Sequence, residues 1–81
     1  MTYSEKIKHG KFIQIRRGCE WALIRPFAEY DENYERLNWS ATKVSWIYGT
    51  GNTGTDRCIC PMDVLDSQLQ AHIEHGWVIA K

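Results

Sequence analysis

Trp39-Ser40-Ala41-Thr42-Lys43-Val44-Ser45-Trp46-Ile47-Tyr48 alternates its side chains with a period of two. Thr42, Val44, Trp46 and Tyr48 fall on one face, and Lys43, Ser45 and Ile47 on the other, as in a half-buried strand. β-Branched and aromatic residues dominate it, the types that pack well on a pleated surface. The fold class follows from this segment because the chain on either side of it repeats the pattern.

Toward the N-terminus, Lys11 to Arg17 alternates with Ile13 and Ile15 on one face. Cys19 to Phe27 alternates as well, with Trp21 and Leu23 read as its inward pair. Gly18 between the two runs supplies the positive φ of a tight turn, so they read as an antiparallel hairpin ended by Pro26. Thr2 and Glu5 have the spacing of a capping box, and Gly10 closes a short helix over residues 3–9 with Tyr3 and Ile7 on its inner side. Residues 28–38 carry four acids and one base, with Tyr30 and Tyr34 a helical turn apart, and read as a loop or a single turn.

Toward the C-terminus, Gly49 to Gly54 reads as a flexible connection to a short strand, Thr55 to Cys60. There Arg57 and Ile59 oppose Asp56, Cys58 and Cys60. Pro61 opens a helix whose Leu65, Leu69 and Ile73 recur every four residues, Gly76 stops it, and Trp77 to Ala80 forms a closing strand. The elements predict an α+β fold: a small antiparallel sheet or partly open barrel of about five strands with one C-terminal helix and a short N-terminal helix. Residues 1–81 are expected to form a single domain.

Composition narrows the function classes. Hydrophobic residues make up 43% and charged residues 25%, ordinary globular values that set the chain apart from disordered, collagen-like and membrane proteins. Ten bases against ten acids leave no net charge, removing the long-range attraction on which a non-specific DNA or RNA binder relies. So small a domain needs large side chains in its core, and most of the four tryptophans are expected inside. Three cysteines, with Cys58 and Cys60 on one strand where a mutual bridge is geometrically poor, suit a reducing compartment. Residues 1–6 lack the apolar stretch of a secretory signal and no run approaches a membrane span, so a cytoplasmic location is expected.

No motif supplies a catalytic centre. Gly49, Gly51 and Gly54 match a GxGxxG string, but a Cys-Ile-Cys strand follows where a phosphate-binding helix would be needed, so a hairpin loop is the better reading. Cys58 and Cys60 with His72 and His75 imitate a small zinc module, yet every spacer is one residue short of the common finger pattern. Cys19 or Cys58 could be grouped with His72 and Asp63 as a nucleophile, base and orienter, but such residue types occur in almost any chain and one this short offers little room for a water-excluding pocket. The expectation is therefore a protein that is not an enzyme, with no catalytic residue and no cofactor.

Zero net charge conceals a split. Residues 1–25 carry six bases and two acids, whereas residues 26–40 carry four acids and one base. The acidic segment, with Glu29, Asp31, Glu32 and Glu35 beside Tyr30, Tyr34 and Trp39, is expected to dock on a basic surface of a larger, nucleic-acid-handling protein or protein–nucleic-acid complex. A free-standing minimal domain without enzyme motifs resembles, in style only, the small inhibitors with which bacteriophages and mobile elements block host defences such as CRISPR complexes. The alternative is a nucleotide or single-stranded nucleic-acid binder, with Lys11, Arg16, Arg17 and Arg25 as phosphate contacts and Trp21 or Trp46 as the stacking surface.

Overall fold

Alternation runs further along the chain than the sequence implied. In the computed structural model, which describes residues 2–80, five strands follow a short helix. The helix α1 spans Tyr3–Lys8, and β1 spans Ile13–Arg17, β2 Glu20–Tyr30, β3 Leu37–Thr50 and β4 Thr53–Pro61. A 3-10 turn, Met62–Val64, leads into α2, Leu65–Glu74, and β5 closes the chain at Val78–Ala80. The strands form one open antiparallel sheet in the order β4-β3-β2-β1-β5, with the short N-terminal helix and the C-terminal helix predicted from the sequence.

Pairing fixes which side chains face the helices. Ile13 pairs with Ile24 and Ile15 with Ala22, while Ile24 and Pro26 pair with Trp46 and Val44. These residues share one core with Ile7 of α1, Leu65 and Leu69 of α2, Met62 and Trp77. Trp46 lies at its centre, 1% exposed and stacked on His72 with centroids 4.9 Å apart. Burying one tryptophan removes about 150–250 Å² from water, worth roughly 4–6 kcal/mol as an upper bound. Its indole Nε1 has no acceptor, an unmet bond that costs about 1–3 kcal/mol, so the apolar term wins.

The N-terminus of α1 is capped by one local and one distant side chain. Thr2 Oγ1 accepts the Glu5 N–H at 3.3 Å, as the spacing predicts, and Asp66 of α2 accepts the N–H groups of Tyr3 and Ser4 at 2.9 and 3.2 Å. A six-residue helix cannot stand by itself in water, so α1 depends on this carboxylate and on the buried Ile7. At the other end of α2, Gly76 (φ +95°) closes a Schellman motif in which the Trp77 N–H reaches the His72 carbonyl at 3.1 Å.

Four details depart from the sequence reading. Trp21 and Leu23 point away from the helices, because pairing with Ile13 and Ile15 turns Ala22 and Ile24 inward instead. Pro26 does not end β2: pairing with β1 stops at Ile24, so the missing N–H costs no ladder bond on that side. The stretch read as a loop, 28–38, is instead the far end of a hairpin in which Tyr30 pairs with Leu37. The glycine-rich connection contracts to a tight turn, Gly51-Asn52, between paired Thr50 and Thr53. Of the tryptophans, Trp46 and Trp77 are buried, Trp21 is half-buried and Trp39 is 47% exposed.

Candidate interaction surfaces

Two surfaces emerge from this sheet, separated by a bulge. Between the pairs Pro26–Val44 and Ala28–Trp39, β2 advances two residues and β3 five. Ser40 Oγ gathers the surplus by accepting the N–H groups of Thr42 and Lys43 at 3.2 and 3.0 Å. Beyond the bulge the hairpin continues as an arm. Its effect shows in the radius of gyration, 13.2 Å against about 11.7 Å for a compact chain of this length.

The arm ends in a turn built by Asp31. One carboxylate oxygen accepts the N–H groups of Asn33 and Glu35 at 3.1 and 2.9 Å, and the Asp31 N–H donates to the Arg36 carbonyl at 3.0 Å. This holds Tyr34 at φ 57°, left-handed backbone that costs a non-glycine residue about 1–2 kcal/mol. The ring so placed is 80% exposed, with its centroid 6.3 Å from that of Tyr30, which is 61% exposed. Lower on the arm Trp39 meets Phe12 edge to face at 6.1 Å, and both are about half-exposed, as is Leu37. Glu29, Glu32 and Glu35 are exposed around these rings, Glu29 with the Lys43 ammonium 3.9 Å away.

The expected docking residues are thus together on one arm, although Asp31 is occupied with the turn. Phe12 and Leu37, which sequence reasoning did not include, complete the apolar part. The contact between residues 12 and 39 is long-range, and no local pattern announces it.

The second surface is the sheet face turned from the helices. Arg16, Arg25 and Trp21 lie on it, joined by Lys43 and Arg57, whose charges stand 6.0 and 5.9 Å from the Phe27 ring centroid. The alternation of β3 and β4 could have revealed both, since it sets Lys43 and Arg57 opposite the core residues. The other expected nucleic-acid contacts are placed elsewhere. Trp46 is buried and offers no stacking surface. Arg17 is on the helix side, its guanidinium 5.0 Å from the Trp77 ring centroid and paired with Glu20 at 3.2 Å. Lys11 is exposed in the connection before β1.

The imagined zinc set is not assembled. Cys58 and Cys60 share a face with sulfurs 3.9 Å apart, but His72 uses Nδ1 on the Gln68 carbonyl at 2.8 Å and faces the Tyr48 hydroxyl with Nε2 at 3.4 Å. No three His, Cys, Asp or Glu side chains converge on a common point among the described residues. Burial, then hydrogen bonding to Cys60 and the charges of Cys60 and Asp56, push the Cys58 thiol up, away from the reactive thiolate a nucleophile needs. Tyr48 is pushed up to about 12, chiefly by burial and then by Cys58, Cys60 and Asp56.

Concavities are shallow: about 390 Å³ between Ser4, Lys8, Thr42 and Asp63, about 310 Å³ between Arg16, Cys19, Trp21 and Asn52, and about 220 Å³ between Arg17, His72, His75 and Trp77. Cys19 lines the second of these with Glu20 but without a histidine, and Cys58 lines none of the three. Among the described residues no helix is long and apolar enough to cross a membrane. The chain matches no protein-family model, and comparison with curated proteins and with solved structures finds no similar protein.

Proposed function

We propose that this protein is a non-catalytic binding protein, an inhibitor by occupancy, that docks the tip of its β2–β3 arm on a basic surface of a larger nucleic-acid-handling protein. The observation that carries the reading is Tyr34. A bulky residue is kept in left-handed backbone, where glycine or asparagine would cost less, and its ring is left in solvent. Such strain is retained where the side chain is used. Around it, Tyr30, Trp39, Phe12 and Leu37 supply the partly exposed aromatic and aliphatic anchors from which interface hot spots are built. The acids beside them favour a basic partner and would steer its approach. A phage or mobile-element inhibitor of host defence is one setting in which a domain of this size acts in this way.

The test is capture from an extract of the protein's native cell, followed by reconstitution with the purified candidate. Tyr34→Gly removes the ring and the strain together. The strain relieved, about 1–2 kcal/mol, roughly offsets glycine's entropic cost and the lost contact with Tyr30, so folding is close to neutral. This variant, and Glu32→Lys with Glu35→Lys, should lose a partner that the unaltered protein holds, with an unchanged circular dichroism spectrum. Asp31 stays untouched because its replacement would dismantle the turn. Undiminished capture by both variants would remove the tip from the binding surface.

A further inference from the structure

The sheet face turned from the helices is covered by no other element, and none of its apolar side chains belongs to the core cluster, among the described residues. We propose that this face binds a single-stranded nucleic acid, independently of the arm's tip.

Charge supplies the first argument. Arg16 of β1, Arg25 of β2, Lys43 of β3 and Arg57 of β4 share the face with one acid, Glu29, which lies beyond the bulge. Among the described residues, Arg16, Arg25 and Arg57 have no ion-pair partner. A second copy packed face to face would set these cations against their own kind, so the complementary occupant is a polyanion. From β1 to β4 the cations span three inter-strand spacings, about 14 Å, enough to follow a short stretch of backbone.

Rings supply the second. The half-buried Trp21 rests its indole on Gly49, pinned by the bond from Nε1 to the Gly51 carbonyl at 2.9 Å, beside Arg16 as its cross-strand partner. Phe27 lies between the Lys43 and Arg57 charges. Flat rings next to guanidinium groups are surfaces on which unpaired bases stack, while a duplex keeps its bases hidden. An acidic peptide would satisfy the charges and leave the rings unused.

A third observation comes from beneath the charges. Ser45 is 1% exposed, and its hydroxyl and the Nε of Arg25, its cross-strand partner, both lack a hydrogen-bond partner. The Nε so buried is out of a phosphate's reach and holds the stem of Arg25 against the sheet, while its terminal guanidinium nitrogens, neither buried nor hydrogen-bonded among the described residues, are left for a phosphate oxygen.

The experiment is fluorescence anisotropy of a dye-labelled, mixed-sequence single-stranded RNA of about 12 nucleotides titrated with the whole protein. Three or four neutralised phosphates give a salt exponent near −2 to −3, so affinity should fall about 20–50-fold between 50 and 200 mM salt. The combined Arg16→Gln, Arg25→Gln and Arg57→Gln variant should bind at least about tenfold more weakly with a flatter salt dependence. Trp21→Leu should weaken binding while leaving that dependence unchanged. No anisotropy change at about 50 mM salt would overturn the proposal. So would equal binding by the triple variant, equal affinity for a duplex of the same length, or equal competition by polyglutamate. The tip variants are read in a separate assay, so the two proposals fail separately.

Discussion

Gly49→Ala tests the packing of the open face, because two opposing effects of known size meet there. Gly49 lies inside β3 without a left-handed φ, so alanine would ordinarily gain about 0.5–1 kcal/mol by restricting the unfolded chain. Space decides otherwise. A Cβ at this position would lie well inside van der Waals contact of Trp21 Cζ2 and Cε2, and 2.7 Å from the Thr53 carbonyl oxygen. The backbone oxygen is held by strand pairing, so the indole must lift. Lifting it loses the bond to the Gly51 carbonyl, about 1 kcal/mol, and re-exposes the buried half of a side chain worth roughly 4–6 kcal/mol when wholly buried. The expected net destabilisation is about 2–3 kcal/mol, measured as a lowered urea midpoint at constant slope. A double-mutant cycle isolates the indole's share: in a Trp21→Ala background the same substitution should cost about 2 kcal/mol less, leaving the strain against the Thr53 oxygen. A Gly49→Ala protein as stable as its parent, or equally destabilised with and without the indole, refutes the reasoning.

Asp66→Ala should cost about 1–2 kcal/mol by uncapping α1, and hydrogen exchange should quicken in residues 3–8 before the sheet is affected; unchanged protection there would show that α1 is held without Asp66. Tyr48 ionises near 10 in the unfolded chain and about 12 in the folded one, so its contribution to stability is complete below 10 and declines as pH rises toward 12. Absorbance at about 295 nm should show a last phenolate phase near 12 that Tyr48→Phe removes; a titration complete by about 11 contradicts its placement. Tyr34→Gly should leave the urea midpoint nearly unchanged, whereas a loss above about 2 kcal/mol would mean the ring is structural.

How far the sequence could be read depends on where the deciding information lies. The phase of β3 was legible because one of its faces is plainly core, and the Thr2 cap of α1 and the Gly76 end of α2 follow from residues close in sequence, whereas the capping of α1 by Asp66 does not. The phase of β2 was not, because Trp21 and Leu23 are as apolar as Ala22, Ile24 and Pro26 together, and only the pairing with Ile13 and Ile15 breaks the tie. Residues 28–38 concealed a hairpin because their acids and asparagines have poor strand propensity. The arm forms through closure by Asp31 and contact with Phe12, neither of which is a periodic signal. That Tyr30, Tyr34 and Trp39 stay exposed was nevertheless legible, since acids interleaved with tyrosines and a tryptophan have little reason to be buried together.

The bulge at residues 40–43 explains why a chain of zero net charge can carry two surfaces of opposite sign. Regular pairing would have set Glu29 opposite Ala41 and carried it straight on along the face of Arg25 and Lys43, with the arm in line with the sheet. The surplus residues of β3 bend the hairpin at that boundary, and one close contact survives across it, Lys43 with Glu29 at 3.9 Å. Both are more than half exposed, so the pair contributes at most about 1 kcal/mol and is screened by salt. Arg16, Arg25 and Arg57 before the bulge and Glu32 and Glu35 beyond it have no ion-pair partner among the described residues. A complex of basic protein with nucleic acid presents partners for both at once, and two weak contacts made to one such assembly combine through effective concentration into a tight one. Deleting three surplus residues, Ser40 to Thr42, keeps Lys43 and should straighten the arm and weaken the tip and the sheet face together. Loss at one surface with full retention at the other would show that the bulge does not keep them apart.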